Sequence, residues 1–128
     1  MNLLLDTHTL LWFLADSTKL TMAAKSVIEN PANKRWLSPI SLLEIAIKIR
    51  IDKLRVAEPF DVLFPSSLLM NKIELIPILP RHIAPLATLP MYHRDPFDRL
   101  IAATAQADDF VLVSADSAFD RYGLARIW

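Results

Sequence analysis

The sequence predicts the α/β class, with a central, mainly parallel sheet of four to five strands and helices on both of its faces. Three observations carry this. Short, uninterrupted apolar runs, of which Leu3-Leu4-Leu5 and Phe110-Val111-Leu112-Val113 are the clearest, read as strands buried on both faces. They alternate with longer amphipathic stretches, the order produced by crossover helices between parallel strands. No repeat, low-complexity tract or linker interrupts the 128 residues, which are enough for one ordinary domain and too few for two. Residues 1–128 are therefore expected to act as one unit.

Leu3-Leu4-Leu5 is the first strand, and Thr7 to Ala15 the helix after it, because Leu10, Leu11 and Leu14 fall on one helical face. Thr21 is placed to cap a second helix that runs to Glu29 and stops at Asn30-Pro31. Trp36-Leu37 reads as a short strand. Two signals then compete. Ile45, Ile47, Ile49 and Ile51 alternate with Ala46, Lys48 and Arg50 as in a strand, whereas Ser41-Leu42-Leu43-Glu44 has capping-box spacing, with Pro39 just outside the proposed helix. We favour the helix, with Glu44 in its first turn. A further helix is expected between Pro59 and Lys72, bent or interrupted at Pro65. Ile73 to Ile78 is a candidate strand and Arg81 to Leu89 a short helix. Pro96 suits the first turn of a helix that carries Asp98 and runs to about Ala107. Phe110 to Val113 is the most apolar strand, and Ala125-Arg126-Ile127 closes the sheet.

Composition narrows the chemistry. The chain has no cysteine, which excludes disulfides, thiolate zinc sites and cysteine nucleophiles and suits a reducing cytoplasm. No basic flank or small-residue cleavage site accompanies the first apolar run, so no signal peptide is expected, and no apolar stretch is long enough to span a bilayer. Fourteen basic and fourteen acidic residues cancel, so the strongly basic balance of a dedicated nucleic-acid binder is missing. Net charge does not report distribution, however, and acids gathered at a metal site with bases on its rim sum to the same value.

In open parallel sheets, ligands bind beyond the carboxyl ends of the strands. Asp6 follows the first strand, Glu44 opens the helix after the second, Asp98 lies near the start of its helix and Asp116 stands just past the strongest strand. All four fall on one edge. Two carboxylates about 4 Å apart repel by about 4 kcal/mol at an effective dielectric near 20, so a positive group is expected among them. Oxygen ligands without cysteine favour a hard cation, Mg²⁺ or Mn²⁺, over zinc. Each acid also has a plain structural reading: Asp6 as a helix N-cap, Glu44 as a capping-box residue, Asp98 as a first-turn charge, Asp116 as a turn residue.

At these residues the sequence resembles the PIN-domain nucleases, and among them the VapC-like toxins of type II toxin–antitoxin pairs. The resemblance lies in Leu3-Leu4-Leu5-Asp6-Thr7-His8, in Ser38 to Lys48 with Glu44 at its centre, in His93-Arg94-Asp95-Pro96-Phe97-Asp98-Arg99-Leu100-Ile101-Ala102, and in Val113-Ser114-Ala115-Asp116. It implies a three-layer α/β/α PIN-like fold, a metal site at Asp6, Glu44, Asp98 and Asp116, and endonucleolytic cleavage of RNA. It also implies a homodimer held in check by a cognate antitoxin protein that inserts a segment near the site. Ser114 stands where a threonine is more frequent, and its hydroxyl remains able to orient an acid or a water.

Neighbouring residues complete the expectation. Asp95, three residues before Asp98, reads as an N-terminal cap in preference to a ligand or a supporting group. Lys48 sits one helical turn from Glu44, where it would hold the acid and meet substrate. Arg94 and Arg99 flank the acid-bearing motif, placed to contact RNA phosphates or to pair with Asp95 and Asp98. His8 and His93 have no spacing that pairs them as ligands and read as surface or capping residues. Competing functions remain at this point: an aspartyl phosphotransferase or phosphatase with Asp6 as nucleophile, although His8 occupies the position of its usual second acid; a DNase on the same scaffold; and a non-catalytic α/β binding module whose acids only cap helices.

Overall fold

The computed structural model describes residues 1–128. Its centre is a five-stranded, wholly parallel sheet of β1 (Asn2–Leu5), β2 (Lys34–Leu37), β3 (Ile73–Leu75), β4 (Val111–Val113) and β5 (Arg126–Ile127), in the order β3-β2-β1-β4-β5. The helices are α1 (Thr7–Leu14), α2 (Met22–Glu29), α3 (Pro39–Arg50), α4 (Phe60–Leu63), α5 (Ser66–Met70), α6 (Pro80–Ile83) and α7 (Pro96–Ala107).

Side-chain alternation along β1 feeds two cores. Leu3 and Leu5 pack with Leu10, Ala24, Ile28 and Ile45 on one face, while Leu4 packs with Ile101, Ala102, Ala105 and Phe119 on the other. All three leucines are fully buried, which is why the run is apolar without interruption. The result is the predicted three-layer α/β/α arrangement. Helix α3 crosses the carboxyl edge of the sheet, with Ile45 in the first core and Ile40 against the second.

The topology sets the site. From β1 the chain winds outward through β2 to β3, then returns to β4 on the other side of β1, so the strand order reverses between β1 and β4. Leu5 is in register with both Leu37 and Val113. The residues that follow, Asp6, Ser38 and Ser114, therefore form a row along one edge.

Several boundaries differ from expectation for local reasons. Helix α3 begins at Pro39, not after it: Ser38 caps it, accepting from the Ile40 N–H at 3.2 Å, and proline fits the first helical position because its missing N–H is not needed there. Glu44 thus lies in the second turn and caps nothing. Pro65 interrupts the helix over 59–72 as expected, dividing it into α4 and α5. Strand β3 stops at Leu75, with one further sheet-like bond from the Ile76 N–H to Leu37 before Pro77, which has no N–H to give. The helix expected from Arg81 starts at Pro80 and tightens into a 3₁₀ turn over Ala84–Ala87. No helix is long and apolar enough to cross a membrane.

Candidate active site

Asp6 leaves β1 in extended conformation and caps α1, its Oδ1 accepting from the Thr9 N–H at 2.8 Å. Its other oxygen, Oδ2, accepts the Ser114 hydroxyl. The Thr9 hydroxyl donates to the Val113 carbonyl at 2.8 Å, and the Asp6 N–H to the same carbonyl at 3.3 Å, so β1 and β4 are stitched together at the switch point. Both Asp6 oxygens are engaged and the side chain is buried, a disposition suited to presenting a ligand and poorly suited to in-line nucleophilic attack.

Ser114 also accepts from the Asp116 N–H at 3.1 Å, so one hydroxyl links two of the acids. Asp116 caps the 3₁₀ turn Ser117–Tyr122, with Oδ1 accepting from the Ala118 N–H at 2.9 Å and Oδ2 bonded to His93 Nε2 at 2.7 Å. Burial pushes the Asp116 carboxyl up, but the hydrogen bonds from His93 and Ala118 and the charge of Arg126 outweigh it, and the group rests below the ordinary carboxylate value.

Glu44 is 5% exposed on α3, its Oε2 paired with Lys48 Nζ at 2.8 Å. A hydroxyl contact of 2.9 Å between Thr7 and Ser41 pins the start of α1 to the first turn of α3, on the face that carries Glu44 one turn on. Asp98 is the third residue of α7, a helix capped by Asp95 through the Phe97 N–H at 2.8 Å. The cap reading of Asp95 is thereby the observed one. Asp98 differs from the other three acids in having neither a hydrogen bond nor an ion pair with the rest of the protein. Burial, then the charge of Asp95, push its carboxyl up to about 6, and Glu44 and Asp116 add to it. Ligand atoms of Asp98, Asp116 and His93 all lie within 4.8 Å of one another. Asp6 and Glu44 stand outside that close cluster on the same edge, joined to it through Ser114 and through the field at Asp98.

Two expectations need correction. Arg99 is buried, and its guanidinium donates to the carbonyls of Leu86 at 3.2 Å, Leu89 at 3.1 Å and Pro90 at 3.0 Å. It ties the 84–90 segment to α7 and neither meets phosphate nor pairs with an acid. His93, expected at the surface or in a cap, is buried at the centre of the site, bonded to Asp116 and Tyr122. Its partners are 23 and 29 residues away, so no local spacing announces it. Arg94 is exposed and free of any ion pair beside α7, and His8 is exposed against Trp12.

The donor chemistry fits a hard cation: crowded carboxylates, one of them raised by its own burial and then by its neighbours, and without a donor. Next to the Glu44–Lys48 pair, an apolar groove of about 530 Å³ runs along α1, lined by Leu11, Trp12, Leu14, Leu54, Leu63 and Phe64, with Lys48, Lys53 and Arg55 among its polar lining.

Fold and site together define a parallel α/β protein with an acid-lined switch point. The PIN domain family model matches residues 3–124, and the chain belongs to that family. It is 34% identical over 116 residues to ribonuclease VapC22 of Mycobacterium tuberculosis, covering 90% of this chain and 87% of the relative. Among solved structures it resembles VapBC2 from Rickettsia felis bound to a promoter DNA fragment, with a TM-score of 0.69 at 19% identity over 99% of this chain and 98% of the other. VapBC-1 from nontypeable Haemophilus influenzae has a TM-score of 0.68 at 15% identity over 99% and 97% of the two chains. At these identities the structural matches speak to the fold.

Proposed function

We propose that the chain is a divalent-metal-dependent endoribonuclease, the toxin of a type II toxin–antitoxin pair, with residues 1–128 acting as one nuclease domain in the cytoplasm. The observation that carries the reading is the acid cluster at the β1–β4 switch point, in which Asp98, raised by burial and then by the acids around it, is unpartnered within the protein. Family membership and the likeness to a named ribonuclease support RNA as substrate.

In this reading Asp6, Glu44, Asp98 and Asp116 hold Mg²⁺ or Mn²⁺. When bound, such a cation supplies a Lewis acid for the phosphoryl group and lowers the pKa of a water for attack on the phosphodiester. The protein's own groups prepare the site. Ser114 fixes the orientations of Asp6 and Asp116, Lys48 pairs with Glu44 within reach of substrate phosphate, and Asp95 stabilises the α7 terminus that presents Asp98. Arg94 offers an unpaired cation to the RNA backbone. The apolar groove beside Lys48 suits an antitoxin segment, whose docking would cover the approach to Glu44. A homodimer is part of the same proposal.

The test is a titration of Mg²⁺ and Mn²⁺ with single-stranded and structured RNA, beside matched DNA, for the intact chain, Asp6→Asn and Asp98→Asn. RNA cleavage that requires metal and falls by at least a hundredfold in both variants is expected. Folded, inhibitor-free protein that neither binds metal nor cuts RNA would overturn the reading.

A further inference from the structure

We infer that His93 and Tyr122 form a positioning pair that holds Asp116 as a ligand-presenting carboxylate, and that His93 is not itself a metal ligand, although its ring lies among the acids. The inference rests on the nuclease reading above for the purpose it assigns to Asp116.

Hydrogen-bond accounting fixes the state of the ring. The Tyr122 hydroxyl oxygen accepts the His93 backbone N–H at 3.1 Å and lies 3.0 Å from His93 Nδ1. A phenol has one hydrogen to give, and this hydroxyl has no other partner. It donates that hydrogen to Nδ1, which is therefore bare, and the ring proton sits on Nε2, 2.7 Å from Asp116 Oδ2. The opposite tautomer would strand the buried phenolic hydrogen.

Packing reinforces this. The His93 and Tyr122 rings are stacked at 5.6 Å with an interplanar angle of 10°, and Phe119 lies 4.5 Å from the imidazole on centroid distance. The ring is clamped with its N–H aimed at Asp116. A cluster of one histidine and two aspartates within 4.8 Å looks suited to a nitrogen-ligated metal such as zinc. The accounting removes that option: one ring nitrogen carries a proton for Asp116 and the other is spent on Tyr122. The remaining donors are carboxylate oxygens, and Asp116 keeps unused lone pairs for a cation.

The same wiring occurs far from the site, which provides a control. His82 Nδ1 accepts the Leu79 N–H at 3.0 Å and Nε2 donates to Asp108 at 2.7 Å, at the opposite end of α7. That pair serves the scaffold alone.

Three readouts test the inference: imidazole ¹⁵N NMR of the intact protein with and without Mg²⁺, Mn²⁺ affinity by titration, and the thermal midpoint. His93 is expected to be protonated at Nε2 and bare at Nδ1 in both metal states. His93→Ala should weaken Mn²⁺ binding by about 10- to 100-fold. His93→Gln, which retains an N–H near the Nε2 position, should recover most of that loss. Tyr122→Phe, which keeps the ring stack, should cost several-fold. His82→Gln should lower the midpoint while leaving Mn²⁺ affinity unchanged. A proton on Nδ1, or loss of the Nε2 proton on metal addition, would overturn the inference, as would wild-type Mn²⁺ affinity in folded His93→Ala or Tyr122→Phe. Intact protein that binds no divalent metal would instead sink the nuclease reading, and the tautomer would still be read from the metal-free spectrum.

Discussion

Successive residues on a helix point about 100° apart, and on α7 that angle separates Asp98, in the acid cluster, from Arg99, in the scaffold. A cation beside an acid in a nuclease motif invites a phosphate role, and nothing in the sequence around Arg99 argues otherwise. The decisive facts are the three carbonyls at 86, 89 and 90, whose positions depend on how the preceding turn folds back. Arg99→Met would leave these acceptors without a donor. It is expected to destabilise the protein by about 2–4 kcal/mol in denaturant unfolding, with Mn²⁺ affinity of the folded fraction within a few-fold of wild type. A stable variant with impaired RNA binding would instead restore the phosphate role. The strand-end rule placed Asp6, Asp98 and Asp116 on one edge because each stands just past a strand or in the first turn of a helix, whereas Glu44 reaches that edge from the second turn of α3. His93 was not legible, because its role comes from Tyr122 and Asp116 across tertiary space.

At the scale of elements, apolar runs and caps marked the strands and most helices, while proline carries two meanings. Pro39 starts a helix and Pro65 breaks one, a difference set by what precedes each: Ser38 offers a capping oxygen, whereas Pro65 follows a helix already formed. The far end of α7 shows an element boundary made by charge. Asp108 closes the helix and gathers Arg81 at 2.9 Å and His82 at 2.7 Å from α6, binding the two helices together. The Arg81 hydrogen bonds hold its carboxyl below the ordinary value of 3.8, burial opposes this, and the His82 bond adds to the lowering. A depressed folded-state pKa stabilises the fold above the unfolded value, and this contribution is lost as pH falls through the folded one. Asp108→Asn should therefore lower the thermal midpoint clearly at pH 7, and its gap to wild type should shrink as pH drops below the ordinary carboxylate range. A gap of equal size at both ends of the range would mean that Asp108 acts through packing alone.

For the whole molecule, the fold concentrates like charge at the point where its two winding directions meet. Basic and acidic residues balance over the chain, so the strain is local to the switch-point edge and invisible in the net charge. With Asp98 half-buried and raised to about 6, its ionised form opposes folding near neutral pH, and a cation that binds only the folded state reverses that penalty. Mn²⁺ at about a hundred times its dissociation constant adds about 2.7 kcal/mol to stability. For a chain of 128 residues, with an unfolding entropy near 0.27 kcal/mol/K, this corresponds to a rise of about 10 °C in the midpoint, returned to baseline by EDTA. Asp98→Asn removes the charge and keeps the shape. It should unfold at a higher temperature than wild type without metal, yet gain only a small part of the metal-induced rise. The two effects have one cause, so they must appear together: a metal-free variant less stable than wild type would show that Asp98 is held by the fold, not imposed on it, and that the acids are not poised for a cation.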